Sequence, residues 1–127
     1  MKILILLFAA VLLTACGQTE ANGQASYENI TPAQAKALMD STEDRVILDT
    51  RSQAEYDEGH IPGAIVIPHD EITQKAEAML PDKDQLILVY CRSGRRSKLA
   101  AEDLVKLGYT NVKEFGGIID WQYEIVK

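Results

Sequence analysis

Apolar residues along this chain fall into short runs separated by segments with helical spacing. Arg45-Val46-Ile47-Leu48-Asp49, Ala64-Ile65-Val66-Ile67 and Leu86-Ile87-Leu88-Val89-Tyr90 read as strands, and Asn111 to Phe115 as a last one. Between them lie helix signals. Thr31-Pro32-Ala33-Gln34 is a capping box with proline at the first helical position, opening a helix to about Met39. Ser52 with Glu55 forms a second capping box, for a short helix ended by Gly59. Pro68 stops the second strand, Asp70 is expected to cap a helix to Met79, and Pro81-Asp82-Lys83-Asp84 turns into the third strand. Ala100, Ala101, Leu104 and Leu107 put an apolar stripe on one helix face, with Gly108 as the natural C-cap. Ile118 to Val126 reads as a closing helix. Apolar strands alternating with helices predict an α/β fold, a mostly parallel sheet with helices on both faces. In such sheets ligands sit at the carboxyl ends of the strands.

The N-terminal residues lie outside this alternation. Lys2 precedes an unbroken apolar run from Ile3 to Leu13. That is well short of the ~20 residues a bilayer span needs, so it reads as the core of an export signal. Leu13-Thr14-Ala15-Cys16 followed by Gly17 resembles the bacterial lipoprotein signal, in which cleavage precedes the cysteine and its thiol is lipidated. The expected organisation is a signal peptide over residues 1–15, a lipidated Cys16 with a polar tether over 16–27, and one domain over 28–127. The mature chain is expected to be exported and lipid-anchored to a bacterial membrane, on its periplasmic or extracellular face.

Charge and cysteine usage narrow the chemistry. The formal net charge is -6, and near -7 once Lys2 is removed, which argues against a nucleic-acid partner. Against that background Arg92, Arg95, Arg96 and Lys98 form one dense basic cluster around Cys91. With Cys16 consumed by lipid, Cys91 is the sole free thiol, without a resolving partner in its own chain. It follows the apolar strand directly and precedes a helix, so backbone N–H groups and the helix dipole favour its thiolate. The same cradle suits a small anion such as thiosulfate, sulfate or phosphate. The two histidines and one free cysteine have no metal-ligand spacing. His60 is read as shaping a turn, and Trp121 and Tyr123 as core or pocket rim.

These segments carry a family resemblance. Asp49-Thr50-Arg51, then Glu55-Tyr56, then Gly59-His60-Ile61-Pro62-Gly63-Ala64 is similar to the first signature of the rhodanese superfamily. Cys91-Arg92-Ser93-Gly94-Arg95-Arg96 is similar to its active-site loop, and Gly116-Gly117 with Trp121 to its usual ending. The resemblance spans essentially all of residues 28–125 and implies a rhodanese-like fold with a central five-stranded sheet. It also implies a sulfurtransferase without a cofactor. Cys91 would take a sulfane sulfur from a small anionic donor such as thiosulfate. The sulfur would then pass to a thiophilic acceptor such as cyanide, sulfite, a thiol or another protein. Arg92, Ser93, Gly94, Arg95, Arg96 and Ser97 are the expected substrate-binding residues, with Ser97 also capping the following helix. Asp49 and Arg51 are expected in a supporting role, Asp49 pairing with Arg51 or with an arginine of the loop. A monomer is expected.

Two other readings share the thiolate cradle. A non-catalytic lipoprotein that carries sulfur to a partner would need the same loop. A cysteine-dependent phosphatase or arsenate reductase resembles Cys, five residues, then Arg; here the sixth position after Cys91 is Ser97, and Arg96 comes one residue early.

Overall fold

The computed structural model describes residues 26–127. The leader, Cys16 and most of the tether lie outside the described residues. Five parallel strands form one sheet: β1 (Glu28–Asn29), β2 (Arg45–Asp49), β3 (Ile65–Val66), β4 (Leu86–Cys91) and β5 (Val112–Gly117), in the order β1-β5-β4-β2-β3. The helices are α1 (Pro32–Ser41), α2 (Gln53–Glu58), α3 (Ile72–Met79) and α4 (Arg95–Lys106).

Strand parity sets which helix each residue meets. Ile87 and Val89 of β4, Leu48 of β2 and Val112 of β5 face Ile72, Ala76, Ala100, Ala101 and Leu104 of α3 and α4. Leu86, Leu88 and Tyr90 face the other way, with Ile47, Ala35 and Met39 of α1, Ile61, Phe115 and Trp121. Every residue of β4 is buried, as expected of the middle strand of a sheet covered on both faces. Both capping boxes form, Thr31 with Gln34 and Ser52 with Glu55.

The fifth strand that the resemblance implied is β1, too short and polar to show in the apolar pattern; its two exposed residues pair with β5. Three expectations are corrected. Ile118 to Val126 is not a helix: a 3-10 turn covers Ile118–Asp120, and Val126 makes an antiparallel bridge with His60. The burial of Trp121 and that bridge outweigh the local apolar spacing. Asp70 does not cap α3, because it lies inside a 3-10 turn over His69–Glu71 that leads into the helix. Nor does Ser97 cap α4: Gly94 occupies the N-cap position, with φ 109 and no side-chain cap. Ser97 sits inside the first turn with its side chain turned toward the end of the sheet.

Candidate active site

Three strand ends meet at one edge of the sheet: Asp49 of β2, Cys91 of β4 and Gly117 of β5. The β4–β5 register shifts between Val89 and Cys91, so Cys91 stands opposite Gly117. Such an irregularity re-aims a side chain at the end of a ladder. The loop then closes tightly on β5. A methyl group on Gly117 would lie 1.9 Å from the Arg92 carbonyl oxygen, so only glycine fits. The Arg92 carbonyl in turn accepts the Ile119 N–H at 3.2 Å.

The loop wraps its donors around the sulfur. Gly94 N–H donates to Cys91 Sγ at 3.0 Å, and Ser97 Oγ lies 3.3 Å from it. Burial pushes the Cys91 thiol up, but hydrogen bonds from the Ser97 hydroxyl and from the backbone of Ser97, Gly94 and Ser93 outweigh it. The thiol is held below its ordinary range, and the charged form is favoured. Cys91 is the sole cysteine among the described residues and is buried.

The basic cluster divides. Arg92 and Arg95 are exposed, at the mouth of the loop. Arg96 is committed elsewhere: Nη1 and Nη2 make a two-pronged ion pair with Glu55 of α2, at 2.7 and 2.9 Å. Its hydrogen bonds hold the Glu55 carboxyl well below the usual range, at about 2. Asp49 and Arg51 pair with each other at 2.6 Å, on the face away from the sulfur. The Tyr90 hydroxyl also donates to Asp49, at 2.7 Å, and Arg51 Nη2 donates to the Gly59 carbonyl. This buried cluster ties β2, β4 and the turn after α2 together. His60 stacks on Tyr56 with ring centroids 3.7 Å apart and shapes that turn.

The model of the rhodanese-like domain family matches residues 31–124. The chain is a member of the rhodanese-like family. The rhodanese domain is 40% identical over 73 residues to thiosulfate sulfurtransferase PspE of Escherichia coli (strain K12), covering 58% of this chain and 70% of that protein. It is 35% identical over 106 residues to the putative sulfur carrier protein YrkF of Bacillus subtilis (strain 168), covering 83% of this chain and 56% of that one. Among solved structures, a rhodanese with anions from E. coli matches with a TM-score of 0.62 at 37% identity, over 65% of this chain and 98% of that one.

The rhodanese domain also contains a site residue that pattern reading passed over. Glu114 of β5 is 2% exposed, and its Oε1 accepts from Ser97 Oγ at 2.9 Å and from Gly116 N–H at 2.7 Å. The signal was present in the strand: Val112 faces the core, and two residues on the same face falls to a charged residue. The Glu55–Arg96 pair leaves no local trace in the sequence: Glu55 also serves its capping box, and 41 residues separate it from Arg96.

Proposed function

We propose that this rhodanese domain is a sulfurtransferase that carries a sulfane sulfur on Cys91. The observation that carries the proposal is the Cys91 sulfur itself, buried, without a cysteine partner among the described residues, and held by Gly94 N–H and the Ser97 hydroxyl. The thiolate attacks the outer sulfur of a thiosulfate-like donor. A new S–S bond forms, the donor's S–S bond breaks, and sulfite leaves with the electron pair. The outer sulfur of the persulfide then bears the negative charge, which loop N–H groups stabilise as an oxyanion hole does. An acceptor thiol, cyanide or sulfite attacks that outer sulfur and returns Cys91 to the thiolate. Arg92 and Arg95, exposed at the mouth, draw in the anionic donor. Both the named sulfurtransferase relative and the sulfur-carrier relative support sulfur as the cargo.

We further propose that the domain is exported and tethered by lipid at Cys16. The apolar run Ile3 to Leu13 and the Thr14-Ala15-Cys16-Gly17 junction support this. Metabolic labelling with a fatty-acid analogue, lost in Cys16→Ser, checks it.

Incubation with thiosulfate followed by mass analysis tests the activity. A one-sulfur gain on the Cys91 peptide is expected, absent in Cys91→Ser and discharged by cyanide. Hydrolysis of an aryl phosphate without any sulfur gain would replace this reading with a phosphatase. Persulfide formation without discharge to any small acceptor would make the protein a carrier that hands sulfur to a protein partner.

A further inference from the structure

Ser97 has one hydroxyl hydrogen and four acceptors within reach. These are Glu114 Oε1 at 2.9 Å, the Gly94 carbonyl at 3.0 Å, Cys91 Sγ at 3.3 Å and the Gly116 carbonyl at 3.4 Å. Charged acceptors hold a hydrogen bond more strongly than neutral carbonyls do, so the contest lies between the sulfur and the carboxylate. Ser97 is fully buried and Glu114 nearly so. Among the described residues Glu114 is in no ion pair, and it leans on two donors, the Gly116 N–H and Ser97. Around it are Cys91 of β4, on the other side of Ser97, Lys98 of α4, and Tyr27 ahead of β1, on which the charges of both Glu114 and Glu102 act. Lys98 Nζ and Glu114 Oε1 flank the site where a Gly94 side chain would stand, at 3.6 and 3.8 Å.

We propose that Glu114 is a positioning residue that competes with Cys91 for the single hydrogen of Ser97, and thereby favours the sulfur-loaded state over the free thiolate. In the free state two anions claim one hydrogen and repel each other across Ser97. Loading changes the balance. Sγ becomes the uncharged inner sulfur of the persulfide, and the charge moves one S–S bond outward, about 2 Å. The Ser97 hydrogen then passes wholly to Glu114. The carboxylate therefore raises the free energy of the bare thiolate more than that of the persulfide. The loaded-state half of this inference rests on the sulfur-transfer reading, whereas the effect on the thiolate does not.

The test follows alkylation of Cys91 by iodoacetamide against pH, in the full chain, read on the Cys91 peptide so that Cys16 does not contribute. Glu114→Gln keeps an oxygen for the Gly116 N–H and removes the charge. It should move the Cys91 midpoint to lower pH by about one unit, as expected for directly coupled groups. In a Ser97→Ala background the same substitution should retain roughly half of that shift or less. An unchanged midpoint, or an equal shift with and without Ser97, overturns the proposal. At a fixed ratio of thiosulfate to sulfite, Glu114→Gln should lower the persulfide-to-thiolate ratio about tenfold, the equivalent of one unit; an unchanged ratio also overturns it. If the wild type never loads sulfur, the sulfur-transfer reading fails and the alkylation profiles still decide the role of Glu114. Should Glu114→Gln fail to fold, infrared difference spectra of glutamate-labelled wild type take its place. Alkylating Cys91 neutralises the sulfur as loading does, and should shift a buried carboxylate band absent from the Ser97→Ala difference spectrum. No such band overturns the proposal.

Discussion

Tyr90 and Cys91 are neighbours in the chain and work on opposite faces of the sheet. The Tyr90 hydroxyl donates to Asp49 among the residues packed under α1, while Cys91 Sγ meets Ser97 of α4. Strand alternation thereby separates a structural cluster, Asp49-Arg51-Tyr90, from a chemical one, Cys91-Ser97-Glu114. Perturbing one cluster should leave the chemistry of the other in place.

Asp49→Asn tests that separation. It leaves the buried Arg51 guanidinium half-partnered and should cost about 3–5 kcal/mol in urea unfolding. The pH midpoint of Cys91 alkylation in the folded fraction should not move. A shift comparable to that of a Ser97 substitution would show that the two clusters are one.

Ser97→Ala removes a hydroxyl that helps hold Cys91 below its ordinary range. A hydrogen bond to a charged group contributes about 1.5–3 kcal/mol, or about one to two pH units. The sign is upward: the midpoint for alkylation should rise, and reactivity at neutral pH should fall about tenfold or more. Stopped-flow alkylation across pH measures both.

The Glu55–Arg96 pair predicts a pH dependence of stability. The Glu55 carboxyl is lowered to about 2 from its usual 4.5, so its contribution is fully present above about pH 4.5 and is lost as pH falls toward 2. The pair is partly solvated, which limits the contribution to about 1 kcal/mol. Thermal unfolding between pH 5 and about 2 should show the wild type losing stability relative to Glu55→Gln, which retains an oxygen for the capping box. Parallel melting curves for the two proteins would count against the pair.

Gly117→Ala forces a methyl group against the Arg92 carbonyl, a backbone atom that cannot turn aside. The loop or β5 must shift, at a cost of several kcal/mol. Soluble yield and Tm should both drop sharply. Where a folded fraction survives, Cys91 should lose its low alkylation midpoint because the loop no longer wraps the sulfur.

Much of this molecule is legible in one dimension. The apolar runs of β2 and β4, the two capping boxes, and Cys91 between a buried strand and a basic helix start are all local features. Hydrophobic period and end-group chemistry act over a few residues, so the chain itself shows them. Local pattern misled where a long-range contact won. Ile118 to Val126 has helical spacing, but Trp121 is drawn into the core and Val126 pairs with His60. The strand Glu28–Asn29 exists because β5 offers it an edge.

The sequence by itself determined the α/β class, the place of Cys91 at a strand end and the cationic setting of its loop. Only the tertiary structure decided what each charge does there. Arg96 is spent on Glu55, Asp49 on Arg51, and Ser97 reaches the sulfur instead of capping its helix. Glu114 arrives beside Ser97 because β5 runs parallel to β4 and presents that residue on the α4 face. Asp49–Arg51 and Cys91–Ser97 are local, two and six residues apart, but Ser97–Glu114 and Arg96–Glu55 lie 17 and 41 residues apart and meet only when the sheet brings its strand ends together. Short-range preferences set the elements; the packing of distant elements set the chemistry of the thiol.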